Sequence, residues 1–184
     1  MVEVMWIAPN ANSQNKIIDD FTTINLKKNL RNTKEIVLET KEIAEAVSYR
    51  YKEQLKMPPQ SFPKGWHPIY KDSIEKALNK ARELTNEGIF VISGVYKNYR
   101  EYVKGPGDGW IKQDSNTSQL SPYEYLLKGG ILVANKGKIH GFEWPTIIVA
   151  KRSLANLDFI NLDFINLHDC NYCMRCTTNL FIVQ

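Results

Sequence analysis

Five short apolar runs of strand length recur along the chain: VEVMWIA (2–8), GIFVIS (88–93), GGILVA (129–134), PTIIVA (145–150) and NLFIVQ (179–184). A strand with one wet face alternates apolar and polar residues, because successive side chains point to opposite sides. These runs are too uniformly apolar for that. Each is expected to be buried on both faces, the condition met by parallel strands with helices above and below. The stretches between them read as helices. In NTKEIVLETKEIAEAVSYRYKEQL, Ile36, Ile43, Ala44 and Val47 fall at helical spacing, and SIEKALNKARELTNEG ends on a glycine, as helices often do. Strands alternating with helices predict an α/β fold built on a mainly parallel sheet.

The 184 residues suit a single domain, 1–184, able to bury a core without disulfides or metal. With 43% hydrophobic and 24% charged residues the chain has a globular composition, and no apolar run approaches the roughly 18 residues of a membrane helix. No membrane partner is expected. The opening MVEVMWIAPNANSQ lacks a basic leader, an apolar core and a small-residue cleavage site, so a cytoplasmic or nuclear location is expected. A net charge of +4 permits an anionic partner without requiring one. The sequon at Asn116 would matter only in a secreted chain.

Ligands of open parallel sheets bind beyond the carboxyl ends of the strands, which directs attention to the connecting segments. The polar, glycine-rich stretch 97–119 reads as a long surface loop. The tandem NLDFINLDFI at 156–165 is a local duplication too short for a solenoid, and no role is assigned to it. His168, Cys170, Cys173 and Cys176 have spacing suggestive of zinc or an iron–sulfur cluster. However, the second pair of ligands is missing, and His67 and His140 stand apart. No metal is expected, and the cysteines read as core packing of a helix that precedes the last strand. The phosphate-loop signature is absent, KGPGDGWIK matching it only in glycine content, and no G-x-S-x-G elbow occurs. A self-contained hydrolase is therefore not indicated.

Three stretches carry more. In INLKKNLRNTKEIV (24–37) an apolar strand ends, Arg31 follows, and Asn32 or Thr33 can cap the next helix. In GKIHGFEWPTIIVA (137–150), Glu143 stands just before an apolar run. In NYCMRCTTNLFIV (171–183), Arg175 lies just ahead of the final strand. Arg31 is expected at a strand's carboxyl edge, and the same edge is expected to receive Glu143 and Arg175.

These stretches, NLRN, HGFEW and YCMRCT, resemble motifs IV, V and VI of the second RecA-like domain of UvrD/PcrA-type superfamily 1 helicases, whose patterns run roughly NYRS, KGLEF and VALTRA. The order agrees, the intervening strand and helix segments fit, and the likeness spans nearly the whole chain. The resemblance implies a three-layer fold of the P-loop NTPase type. It also implies that Arg31 and Arg175 approach the γ-phosphate of ATP as catalytic groups, and that Glu143, beside Gly141, accepts hydrogen bonds from the ribose. Lys136, Lys138 and His140 become candidate contacts to single-stranded DNA or RNA.

The chain departs from the family in several places. Leu30 stands where the family commonly has an aromatic residue on the adenine, His140 replaces a lysine, and Cys176 replaces a small residue. The segment between Arg31 and Gly141 leaves no room for the family's large inserted domain. The first RecA-like domain, with the phosphate loop and the carboxylates that hold Mg²⁺, is not in this sequence. ATP with Mg²⁺ would be shared with that domain, in the same or another chain, and this chain alone is not expected to turn ATP over. The alternative is a degenerate helicase-like fold that serves as a non-catalytic interaction or regulatory module.

Overall fold

The computed structural model of the protein describes residues 28–45, 52–53, 55–93, 110–112, 120–135, 142–150 and 170–183. The apolar run 2–8, the strand expected before Lys28, Val47 and the NLDFI duplication lie outside these residues. Six strands are present among them: β1 (Ile69–Lys71), β2 (Ile89–Ser93), β3 (Trp110–Lys112), β4 (Ile131–Asn135), β5 (Trp144–Ala150) and β6 (Cys176–Val183). They form one sheet in the order β1-β6-β5-β2-β4-β3. The first five in that order are mutually parallel, and β3 pairs antiparallel with β4 at the edge.

The unbroken apolar runs are explained by their two-sided burial. On β5, Ile147 and Val149 face one core while Ile148 and Ala150 face the other; on β2, Phe90 and Ile92 divide from Ile89 and Val91 in the same way. Helices cover both sides. Helices α1 (Lys34–Glu45) and α3 (Pro122–Leu127) place Ile36, Tyr125 and Leu126 on the first face, and α2 (Ile74–Leu84) places Ile74, Ala77 and Ala81 on the second. This is the three-layer α/β arrangement expected of a RecA-like domain. Each fully buried Ile, Leu or Phe contributes about 1.5–3 kcal/mol relative to exposure, so the sheet centre dominates stability.

Three local expectations are corrected. Helix α2 does not end on a glycine: it starts at the N-cap Ser73, whose hydroxyl accepts from Lys76 N, and stops at Thr85 in an extended conformation. Gly88 matters for another reason, close packing. Its N–H donates to the Leu126 carbonyl at 2.8 Å, and an added Cβ would meet that oxygen at 2.4 Å. The span 97–119 is not wholly loop, since Trp110–Lys112 forms β3 against β4. Neither Asn32 nor Thr33 caps α1 with its side chain. Instead the segment 57–67 lies along the start of the helix as a strap, and the Pro63 and Lys64 carbonyls accept from the N–H groups of Lys34 (3.2 Å) and Glu35 (3.0 Å). The strap also carries His67, whose Nδ1 lies 2.7 Å from the buried carboxylate of Glu35. No helix among the described residues is long and apolar enough to cross a membrane.

Candidate functional site

Arg31, Glu143 and Arg175 come together at one edge of the sheet. Glu143 immediately precedes β5 and Arg175 immediately precedes β6, and these strands run parallel with Trp144 opposite Cys176. The backbone N–H of Trp144 donates to the Arg175 carbonyl at 3.2 Å, so the two residues sit on neighbouring strand starts. The shared edge is therefore the amino-terminal edge of β5 and β6, not their carboxyl edge. A residue that leads into a parallel strand can only lie at its beginning, and Arg31 is brought there by its own contacts.

Arg31 reaches Glu143 through an Nη1–Oε1 contact of 2.5 Å, with the two side chains 44% and 33% exposed. The turn that presents Arg31 is built by two asparagines. Asn29 Oδ1 accepts from the backbone N–H groups of Arg31 (2.8 Å) and Asn32 (3.1 Å), a side-chain turn of the kind asparagine favours. Asn32 is fully buried. Its Nδ2 donates to the carbonyls of Met174 (2.9 Å) and Cys176 (2.6 Å), and its Oδ1 accepts from Asn29 Nδ2 at 2.9 Å and, at a longer 3.5 Å, from Arg31 Nε.

Arg175 is half-buried, and its Nη2 donates to Asn171 Oδ1 at 3.2 Å, one turn back along the short helical segment that begins at Cys170. Burial pushes its pKa below the ordinary arginine value, the positive charge of Arg31 pushes it further, and Glu143 acts in the opposite direction. Two guanidinium groups thus lie near one carboxylate, which Arg31 contacts directly and Arg175 feels electrostatically. The edge carries an excess of positive charge that is partly withdrawn from water, which favours an anion with several oxygens.

Leu30, on the same turn as Arg31, is 65% exposed and offers no aromatic face. Lys136, Lys138, His140 and Gly141 lie outside the described residues. Cys170, Cys173 and Cys176 are buried in the core and form no disulfide. Cys170 Sγ donates to the Thr40 carbonyl at 3.7 Å and Cys176 Sγ to that of Pro145 at 3.4 Å. No group of three or more His, Cys, Asp or Glu among the described residues is placed to hold a metal ion.

Sequence reasoning missed the part played by Asn29 and Asn32. The signal was present in NLRN, where two asparagines flank a leucine and an arginine. Local patterning can suggest the turn made by Asn29, but not the bonds from Asn32 to residues 142 and 144 positions away.

No protein-family model matches the chain, and no curated protein matches it significantly. A structural neighbour among solved structures is the C-terminal domain of a possible DNA helicase from Lactobacillus plantarum WCFS1. The two are 11% identical, the match covers 84% of this chain and 87% of that chain, and the TM-score is 0.49.

Proposed function

We propose that this domain completes an ATP site whose phosphate loop and Mg²⁺ ligands belong to a first RecA-like domain. Arg31 and Arg175 contact the γ-phosphate, and Glu143 contacts the ribose. The observation that carries this reading is the convergence of these three residues, from distant parts of the chain, on one sheet edge with more positive than negative charge. Phosphoryl transfer spreads negative charge over the γ-phosphate oxygens. A planar guanidinium delivered from a neighbouring domain stabilises that charge and is worth roughly 10³–10⁵ in rate. Arginine suits the task because its fork binds two oxygens at once and stays charged even when partly desolvated. Closure of the two domains around ATP, followed by opening, would alter the grip on single-stranded nucleic acid in each cycle, with Lys136, Lys138 and His140 as strand contacts.

A second reading has its own observation. The 2.5 Å contact lets Arg31 and Glu143 satisfy one another without any ligand, as they would in a non-catalytic interaction module. Steady-state ATPase measurements on the assembled two-domain protein, with and without single-stranded DNA or RNA, separate the two. Nucleic-acid-stimulated hydrolysis supports the motor reading. Its absence from the wild-type assembly favours the module.

A further inference from the structure

We infer that Asn32 is a positioning residue whose buried side-chain amide sets the spacing between Arg31 and Arg175. Its effect on turnover rests on the phosphate-contact reading above, whereas its effect on arginine order does not.

The amide joins the two arginine-bearing segments directly. Its two N–H bonds hold the carbonyls of Met174 and Cys176, the residues on either side of Arg175, at 2.9 and 2.6 Å. Its oxygen accepts from the Asn29 side chain at 2.9 Å and faces Arg31 Nε at 3.5 Å. A primary amide has two donors and one acceptor oxygen with two lone pairs, and all of that capacity is turned on these two segments. Asn32 is fully buried. Losing the amide therefore removes a donor from each carbonyl, at Cys176 in a buried setting, and the segments are expected to shift to recover water or another donor.

No nearby alternative performs the same link. Among the described residues, the strap's backbone bonds reach Asn29, Lys34 and Glu35 but not the 174–176 segment, and the Arg31–Glu143 pair is partly exposed and gives when pulled. Aspartate at this position has nearly the same shape but, when ionised, only accepts, so it would set oxygens against the Met174 and Cys176 carbonyls. Serine keeps a single donor on a shorter arm.

The test has two arms. In the first, nuclear magnetic resonance follows the Arg31 and Arg175 side-chain Nε–H groups in the full chain. Asn32→Ala is expected to make both mobile on the nanosecond scale, Asn32→Ser to do so less, and Asn29→Ala to loosen Arg31 while leaving Arg175 ordered. A folded Asn32→Ala with both groups as ordered as in the wild type overturns the inference. If that variant does not fold, the Asn32→Ser result decides: both groups as ordered as in the wild type overturns it, and both loosened supports it.

In the second arm, ATPase kinetics on the assembly are expected to show kcat lowered by on the order of 10²-fold in Asn32→Ala with KM nearly constant, as misplacement of catalytic groups produces. The same substitution in an Arg31→Ala/Arg175→Ala background is expected to add no further loss of kcat. A purely structural role would lower the concentration of active protein by the same factor in both backgrounds. If the two arginine substitutions themselves leave kcat unchanged, the ATP-site reading fails, and the first arm still decides the positioning role.

Discussion

Arg31 and Glu143, separated by 112 positions, are joined by a contact of 2.5 Å, yet neither side chain is fully withdrawn from water. Partly exposed pairs of this kind contribute under about 1 kcal/mol, because solvent screens the charges and ordering two long side chains costs entropy. The pair is thus a poor candidate for a stability device. Arg31→Ala and Glu143→Ala are each expected to leave the urea-unfolding midpoint close to wild type. Ligand binding separates the two roles of Glu143. Removing its carboxylate leaves Arg31 without its counter-charge, so inorganic tripolyphosphate should bind Glu143→Ala more tightly, by about fivefold for roughly 1 kcal/mol. ATP should gain less or lose affinity, because the proposed ribose contact disappears. Calorimetric titrations that move in parallel for the two ligands would remove the ribose role.

The strap 57–67 depends on Gly65, which has φ +81 and lies so close to Thr33 that a Cβ would fall 2.3 Å from Oγ1. Gly65→Ala meets two penalties at once. The left-handed backbone disfavours any side chain by about 1–2 kcal/mol, and the contact forces the strap away from α1. The expected result is a loss of about 2 kcal/mol or more in unfolding free energy. Amide exchange should be faster at Lys34 and Glu35, whose N–H groups the strap carbonyls accept, while Ala77 in α2 keeps its protection. Equal acceleration at all three amides would show global weakening rather than release of the strap.

The parallel core was legible because two-sided burial leaves a signature that needs no knowledge of partners. β2, β4, β5 and β6 coincide with apolar runs, and Ile147, Ile148 and Val149 are fully buried on opposite faces, as an unalternating run requires. β3 was hidden. Three residues of an edge strand are stabilised by pairing with β4, not by a pattern of their own. The convergence of Arg31, Glu143 and Arg175 can be anticipated from motif order, but for Glu143 and Arg175 the edge is the amino-terminal one. The strand expected before Arg31 lies outside the described residues, and the position of Arg31 follows from Asn32, whose bonds to residues 174 and 176 are non-local. His67 likewise looks solitary in sequence and meets Glu35 only because the strap folds back on α1.

Cys176 predicts a limit on alkaline stability. Burial raises its pKa from an ordinary 9.0 to about 12, with backbone hydrogen bonds from Thr178, Ile147 and Asn179 lowering it in part. The folded protein therefore keeps a proton that the unfolded chain releases first. The stabilisation is fully present below pH 9.0 and is lost as pH rises towards about 12. In that window this one thiol contributes a slope of up to about 1.4 kcal/mol per pH unit, falling with pH. Denaturation midpoints measured from pH 8 upwards should decline less steeply in Cys176→Ala than in wild type, although that variant starts lower at neutral pH because of the cavity it leaves. Identical pH slopes in the two proteins would assign the alkaline transition to other groups.

Arg175 provides the sharpest kinetic prediction. It is half-buried, disfavoured as a cation by that burial and by Arg31, and held by Asn171 at 3.2 Å, so its charge is placed before any ligand arrives. A preplaced charge contributes most where negative charge develops during reaction, and least to the bound substrate, which it meets in nearly its final geometry. In the assembled two-domain protein, Arg175→Ala should lower kcat by about 10² or more while KM moves little. Arg175→Lys should recover only part of the loss. A lysine keeps the charge but not the bidentate fork, and its more strongly hydrated ammonium tolerates a half-buried site less well. Arg31→Ala should behave like Arg175→Ala, and the double substitution should cost less than the product of the two, because in the proposed site both guanidinium groups act on the same phosphate. A rise in KM at constant kcat would instead make Arg175 a ground-state contact, and strict multiplicativity would place the two arginines on separate parts of the ligand.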